Sequence, residues 1–170
     1  RALLEKLIQW QKNEVHLPIL LRGARQLGKT FLVEQFGHDY FSNSVTINFE
    51  LSPEYKSCFD SLHPQEILNK LTIMSGRKIT PGDTLLFLDE IQACPNAIMA
   101  LRYFKEQLPQ LHVIGAGSLL EFALSEKGMK MPVGRVQYLY LKPLSFCEYL
   151  KVIDNETLLE FIENVTLQDE

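Results

Sequence analysis

The sequence predicts an α/β fold in which helices cover both faces of a mostly parallel β-sheet. Apolar runs such as LPILLRG and TLLFLDE have the continuous character of strands that are buried on both faces. Segments with helical spacing of apolar residues separate these runs, and strands that alternate with helices are typical of α/β layers. The chain of 170 residues is long enough for one such domain.

The first part of the chain is predicted to form a helix, a strand, a second helix and a second strand. Apolar residues at helical spacing predict an amphipathic helix over residues 2–12. LPILLRG follows as a buried strand, and KTFLVEQFG then forms a helix that we expect to end at Gly37. SVTINFE, residues 44–50, alternates in polarity and is rich in β-branched side chains, which predicts a strand.

The rest of the chain continues the alternation after an irregular excursion at SPEYKSCFDSLHP, which has room for one short helix. Helices are predicted at Pro64–Met74, residues 96–108, SLLEFALSEKG, LSFCEYLKV and ETLLEFIENV. Strands are predicted at TLLFLDE, LHVIGAG and VQYLYL. The whole pattern favours one domain, with helices that begin a lid or linker from about Leu144.

A phosphate-binding loop is predicted between the first buried strand and the helix that follows it. GARQLGKT, Gly23 to Thr30, matches the pattern of glycine, four residues, glycine, lysine and threonine. Gly23 and Gly28 let the backbone approach phosphate oxygens, and the N–H groups of the loop and of the helix N-terminus attract the anion. Lys29 can reach the β- and γ-phosphates, and the Thr30 hydroxyl can bind Mg²⁺. The motif therefore predicts a P-loop NTPase with a three-layer core.

The strand TLLFLDE supplies two carboxylates that the loop lacks. Asp89 lies at the end of the apolar run, where a carboxylate can hold Mg²⁺ through water. Glu90 follows at the carboxyl edge of the sheet, where α/β proteins bind their ligands. A carboxylate at that edge can orient or deprotonate a water molecule aimed at the γ-phosphate. The pair therefore predicts hydrolysis of the nucleotide in addition to binding.

Composition and missing motifs weaken several other functions. A GTPase would need Asn-Lys-x-Asp after a strand, and the only Asn-Lys pair, Asn69-Lys70, falls inside a predicted helix. A small-molecule kinase often has an arginine-rich lid, and the sequence has no arginine cluster. The formal net charge of -4 gives no global attraction to nucleic acid or anionic lipid. No apolar run approaches the roughly 18 residues of a membrane span, and the three separated cysteines are expected to be reduced thiols in a cytoplasm.

Several segments resemble a prokaryotic AAA-type ATPase family. LRGARQLGKT is similar to the P-loop of that family, INFE to its second strand, LLFLDEIQ to its Walker B strand and VIGAGS to its sensor strand. GRVQYLYLKPLSFCEYL resembles the end of the family's ATPase core. The resemblance implies an AAA-type core over residues 1–143 and the start of a helical lid or linker over residues 144–170. Members usually continue into a C-terminal domain of poorly known function, so we expect a truncated piece of a longer protein.

The resemblance also implies roles for individual residues. Asn48 matches the position at which AAA-type enzymes hold the catalytic glutamate in check. Ser118 could touch the γ-phosphate or the attacking water, although Ser118-Leu119-Leu120-Glu121 is also a capping box for the next helix. Arg135 is a candidate arginine finger that would act on a neighbouring subunit, and its alternative is a solvated surface residue.

The expected site residues form three groups. Those expected to bind the nucleotide are Gly23, Ala24, Arg25, Gln26, Leu27, Gly28, Lys29, Thr30 and Phe31. Those expected to act in catalysis are Glu90, Lys29, Asn48, Ser118 and Arg135. Those expected to hold the metal are Thr30 and Asp89.

The favoured interpretation is an ATPase domain that converts ATP and water into ADP and phosphate with Mg²⁺. The alternative is an ATP-gated binding or regulatory module that hydrolyses slowly and acts through a C-terminal domain. A DNA motor ranks lower, because the chain has no arginine-rich helicase motif and no aromatic-basic stretch for single strands. The expected ligand is ATP, and a homo-oligomer and an unknown protein or DNA partner are left open. We expect no membrane partner and a cytoplasmic location.

Overall fold

The computed structural model describes residues 2–118, 134–153, 158 and 162, and its central element is a parallel β-sheet. The strands are β1 (Ile19–Arg22), β2 (Asn43–Asn48), β3 (Thr84–Asp89), β4 (His112–Gly117) and β5 (Gln137–Tyr140). Their order is β2-β3-β4-β1-β5, and every pair of neighbours is parallel. The carboxyl ends of the strands therefore lie together at one edge, which is the edge where α/β proteins bind ligands.

Helices complete the α/β architecture that the sequence predicts. They are α1 (Ala2–Lys12), α2 (Lys29–Tyr40), α3 (Pro64–Ser75), α4 (Pro95–Gln107) and α5 (Phe146–Val152). Two 3-10 helices, Pro53–Phe59 and Ile91–Ala93, follow β2 and β3. Among the described residues, no helix has the length and the hydropathy needed to span a membrane. The fold class is therefore confirmed as a three-layer core around a parallel sheet.

Two apolar cores lie on the two faces of the sheet. Because side chains alternate along a strand, Leu85 and Phe87 of β3 pack with α1 and α2, whereas Leu86 and Leu88 pack with α3 and α4. Every residue of β3 and β4 is buried. This double burial explains why both strands are continuous apolar runs in the sequence.

The chain divides into two compact units. Residues Ala2–Leu141 form one unit, which contains the whole sheet, and Lys142–Glu170 fall in the other. In the second unit, α5 begins with a capping box, in which Ser145 Oγ accepts a bond from Glu148 N and Glu148 Oε2 accepts one from Ser145 N. The assignment of residues 144–170 to a lid or linker stays a prediction.

The predicted end of α2 at Gly37 is wrong, because the helix continues to Tyr40. A Cβ on Gly37 would lie 3.0 Å from Ser44 Cβ and 3.1 Å from Leu85 Cδ2. Glycine at this position therefore permits close packing of the helix on the sheet, and it does not end the helix.

Two other predicted elements need comment. Strand β2 ends at Asn48, two residues before the predicted end, because the side-chain Oδ1 of Asn48 accepts bonds from the N–H groups of Glu50 and Leu51 and closes a turn. The helix predicted at SLLEFALSEKG lies outside the described residues except for its first residue, and most of ETLLEFIENV does as well.

Candidate functional site

The loop from Gly23 to Gly28 joins β1 to α2 and has a backbone shape that requires its glycines. Gly23 has φ +154°, and a Cβ there would lie only 2.5 Å from the carbonyl oxygen of Leu141. Gly28 has φ +82°, a left-handed conformation that glycine adopts without strain. Gly28 is also the N-cap of α2, and no side chain caps this helix. The first N–H groups of α2 therefore have no side-chain acceptor and can bind an anion.

Lys29 is a buried cation at the centre of this loop. Its Nζ donates to the carbonyl oxygens of Gly23 at 2.9 Å and Ala24 at 2.8 Å. Burial lowers the pKa of Lys29, while the carboxylates of Glu90 and Asp89 oppose that shift. The ammonium group is thus held within the loop, with two nearby carboxylates to balance its charge.

Asp89, the last residue of β3, joins the loop to the neighbouring strands. Its Oδ2 accepts a bond from Thr30 Oγ1 at 2.8 Å and another from Asn48 Nδ2 at 3.0 Å. Burial raises the pKa of Asp89, and the bonds from Thr30 and Asn48 act in the opposite direction. The structure therefore brings together the two residues that the sequence singles out as metal ligands.

Glu90 lies just beyond β3, so the predicted strand TLLFLDE ends one residue earlier than expected. Glu90 has φ +48° and ψ +45°, a left-handed conformation that is unfavourable for a residue with a side chain. It caps the 3-10 helix Ile91–Ala93, in which Ile91 is fully buried. Its Oε2 accepts a bond from Gln92 Nε2 at 2.5 Å. This tight turn places the Glu90 carboxylate at the carboxyl edge of the sheet.

An open pocket of about 490 Å³ lies at this edge. The residues that line it are Arg25, Gln26, Gly28, Lys29, Thr30, Phe31, Glu50 and Glu90. Six of the nine residues expected to bind the nucleotide therefore line the pocket. Of the other three, Gly23 and Ala24 offer their carbonyls to Lys29, and Leu27 packs against the apolar core beside α1 and α2.

Glu50 is a pocket residue to which sequence reasoning assigned no role. It lies in the turn after β2, and its Oε1 lies 3.9 Å from Nη2 of Arg25. This ion pair links Arg25 of the loop to Glu50 of the turn after β2. The only available signal was its place as the last residue of the INFE segment, at the carboxyl edge of the sheet.

Asn48 contacts a different carboxylate from the one expected. Sequence resemblance predicts that it holds Glu90 in check, but its amide donates to Asp89. The strand register explains this difference, because Asn48 of β2 pairs with Asp89 of β3. Within the described ranges, the side chain that donates a hydrogen bond to the Glu90 carboxylate is that of Gln92.

Ser118 lies at the same edge of the sheet and carries a buried hydroxyl. It follows Gly117, which pairs with Arg22, the residue just before the loop. Within the described part of the chain, Ser118 Oγ has no hydrogen-bond partner. The rest of the predicted capping box falls outside the described residues, so the cap stays a prediction. An unsatisfied hydroxyl here is available to a ligand.

Arg135 lies away from the pocket of its own chain. It comes before the amino end of β5, whereas the pocket lies at the carboxyl ends of the strands. Its Nε donates to Glu106 Oε1 at 3.1 Å, and Arg102 Nε donates to the same oxygen at 3.1 Å. The bonds from Arg135 and Arg102 lower the pKa of Glu106. The structure therefore does not bring Arg135 together with the other predicted catalytic residues.

Comparison with known proteins agrees with this arrangement. Residues 15–150 match a family model described as an AAA domain. The matched segment includes the whole sheet and every residue that lines the pocket. No match was found among curated proteins.

Proposed function

The chain belongs to the AAA domain family, and on that premise we propose that it binds ATP with Mg²⁺ and hydrolyses it to ADP and phosphate. The observation that carries the proposal is the meeting of Thr30 with Asp89 beside a pocket that Lys29 and Glu90 also line. Hydroxyl, carboxylate, ammonium and a second carboxylate are the groups that ATP hydrolysis requires.

Phosphate binding is assigned to the loop and to the start of α2. The uncapped helix N-terminus and the loop N–H groups offer donors to the phosphate oxygens, and Lys29 supplies a positive charge. Arg25 adds a second cation at the pocket, where Glu50 holds it in the present structure. The exposed ring of Phe31 lines the same pocket and is available to pack against the nucleotide.

Metal binding is assigned to Thr30 and Asp89, whose oxygens already lie 2.8 Å apart. The described residues contain no cluster of three His, Cys, Asp or Glu side chains that could enclose a metal. This agrees with Mg²⁺, which takes most of its ligands from water and substrate phosphates. When bound, the ion would neutralise charge that develops on the phosphates.

Hydrolysis is assigned to Glu90 as the general base. A water oxygen attacks the γ-phosphorus, the bond from that phosphorus to the β–γ bridging oxygen breaks, and the water proton passes to the Glu90 carboxylate. Asn48 would hold Asp89 in place, and the Ser118 hydroxyl would bind the γ-phosphate or the water. Arg135 could act only on the pocket of a second copy, which makes a homo-oligomer part of the proposal.

One observation favours a slower, ATP-gated module as the second candidate function. Among the described residues, Arg25 is the only arginine that lines the pocket, and it is paired with Glu50. An isolated chain would then bind ATP but turn it over slowly, and the bound nucleotide would act on an unknown protein or DNA partner. Residues 144–170 would begin the lid or linker through which the nucleotide acts on that partner. We propose that the protein acts in the cytoplasm.

Phosphate release by the full-length protein tests both functions. The assay is run with Mg·ATP at several protein concentrations, with and without DNA, and with a chelator as the control. Turnover that needs Mg²⁺ and rises more than linearly with protein concentration supports an ATPase that works as an oligomer. Tight ATP binding with no turnover under every condition would favour the gated module.

A further inference from the structure

Gln92 makes a short hydrogen bond to the carboxylate of the proposed general base. Its Nε2 donates to Glu90 Oε2 at 2.5 Å. An ionised carboxylate can only accept hydrogen bonds, so the nitrogen of the Gln92 amide must be the atom that faces it. The bond therefore holds one carboxylate oxygen of Glu90 and leaves the other for a second partner.

The turn that carries Gln92 is fixed by its backbone and by the core. Ala93 N donates to Glu90 O and Cys94 N donates to Ile91 O, each at 2.9 Å. Ile91 is fully buried, and its Cδ1 would lie 2.7 Å from a Cβ at Gly115 of β4. The absence of a side chain at Gly115 lets Ile91 pack against the sheet. Backbone hydrogen bonds and the packing of Ile91 therefore fix the position from which the Gln92 amide contacts Glu90.

Two features of this turn are unfavourable for folding. Gln92 Oε1 is buried and has no hydrogen-bond partner among the described residues, and a buried carbonyl without a donor destabilises the folded state. Glu90 itself is held in a left-handed conformation. An apolar side chain of the same length at position 92 would remove the first penalty. Such unfavourable features are typical of functional sites, where the surrounding structure maintains them.

We propose that Gln92 is a positioning residue for the hydrolysis of ATP, which rests on the function proposed above. Its amide fixes the direction of the Glu90 carboxylate, so that the free oxygen is presented to the attacking water. This is a contact that Asn48 does not make in this structure, because its amide is bonded to Asp89. The role predicts that loss of the amide lowers turnover without lowering ATP affinity or the stability of the fold.

The variant Gln92→Met tests this role, because methionine keeps the length of the side chain and removes the amide. We expect kcat to fall about tenfold or more, the loss expected when a hydrogen bond to a charged group is removed. The Kd for Mg·ATP should stay within about twofold, and Tm should stay close to the wild-type value, because loss of the bond to Glu90 and removal of the unsatisfied Oε1 have opposite effects on stability. The matched control is Gln65→Met, on the exposed face of α3, where Gln65 Nε2 donates to Asn69 Oδ1. We expect this control to leave kcat unchanged.

A spectroscopic measurement adds a readout that does not depend on turnover. In the full chain, the NMR signals of the Gln92 side-chain amide should show one proton that exchanges slowly with water, and Glu90→Ala should abolish that protection. Wild-type kcat in Gln92→Met, or a fall in kcat that only follows a fall in Tm, would overturn the positioning role. A wild-type protein that binds ATP but never hydrolyses it would overturn the proposed ATPase function as well.

Discussion

Thr30 and Asp89 lie 59 residues apart in the sequence, and the hydroxyl of Thr30 donates to Asp89 Oδ2 at 2.8 Å. Their meeting depends on the sheet order, in which β4 pairs on one side with β1 and on the other with β3. Asp89 ends β3, and Thr30 lies in the first turn of α2, which follows β1 and the loop, so the strands on either side of β4 bring the two residues together. The same two oxygens are the ones we propose to bind Mg²⁺, and their contact holds both proposed ligands in one place.

Lys29→Ala should abolish tight binding of Mg·ATP and leave the fold intact. The variant removes the cation at the centre of the loop, which donates to the carbonyls of Gly23 and Ala24. Calorimetric titration measures the affinity, and circular dichroism checks the fold. Lys70→Ala, on the exposed face of α3, serves as the control for loss of a lysine. An affinity within about threefold of wild type would contradict the P-loop assignment.

Glu90→Gln should keep ATP binding and lose turnover. Glutamine preserves the size of the side chain but cannot accept a proton, and a general base contributes about 10²–10⁴ in rate. We expect a fall of that order in kcat with an unchanged Kd, measured by phosphate release and by calorimetry. Wild-type turnover in this variant would show that Glu90 is not the general base.

Arg135→Ala should affect turnover only at protein concentrations at which subunits associate. Because Arg135 lies at the edge of the sheet opposite the pocket, it can serve only a neighbouring copy. A mixture of Arg135→Ala with Glu90→Gln should recover part of the activity, since some interfaces then combine an intact Glu90 with an intact Arg135. Mixed samples that stay as inactive as either variant alone would argue against a finger in trans.

Acid should destabilise the protein through His112, the first residue of β4. Burial and, to a lesser degree, the electrostatic effect of His16, whose ring stacks at 3.9 Å between ring centroids, lower the pKa of His112 to about 4. Neither ring nitrogen of His112 has a hydrogen-bond partner within the described residues, and the backbone of Gln11, which raises the pKa, is the smallest of the three influences.

The sign of the effect follows from proton binding. Between about pH 6.5 and pH 4, His112 is protonated in the unfolded chain but not in the folded chain. The free energy of unfolding therefore falls as the pH falls through this range. The full loss is on the order of 3 kcal/mol. Urea unfolding of wild type and His112→Phe at several pH values isolates this term, because other groups, including Asp89, are common to both proteins. Equal slopes in the two proteins would contradict the assignment.

Gly115→Ala should destabilise the protein and disturb the turn that carries Glu90. The added Cβ would lie 2.7 Å from Ile91 Cδ1 and 3.2 Å from Leu20 Cδ2. Overpacking of a core by one methyl group costs about 1–3 kcal/mol, which chemical denaturation can measure. The matched test is the double variant with Ile91→Val, which removes the clashing Cδ1 atom. We expect it to recover part of both the stability and the turnover.

The sequence was sufficient to predict most of the sheet but not the close contacts between its elements. Strands β3 and β4 are continuous apolar runs because both of their faces are covered, so the sequence alone is enough to predict them. The role of Gly37 cannot be read from the sequence. A glycine that ends a helix and a glycine that permits close packing on Ser44 and Leu85 occupy the same position in the sequence pattern. Only the three-dimensional arrangement separates the two explanations.

The site shows the same division between local and long-range information. The loop and Asp89 belong to a spaced pattern, so their types predict their chemistry. Gln92 and Glu50 end the LLFLDEIQ and INFE segments, but no residue spacing there assigns them a role, and their contacts depend on the shape of the turns after β3 and β2. The partner of Asn48 depends on the register of β2 with β3, which places it opposite Asp89 and not Glu90.

The close approach of Gly23 to Leu141 makes the start of the phosphate-binding loop a neighbour of the chain's exit from the sheet. Leu141 N donates to Arg22 O at 2.8 Å, and its own carbonyl oxygen leaves no room for a Cβ on Gly23. Leu141 is also the last residue of the compact unit that holds the sheet. A displacement of the loop at Gly23 toward this carbonyl would therefore have to move Leu141 as well. The lack of a side chain at this one glycine thus ties the geometry of the loop to that of the last residue of the sheet-bearing unit.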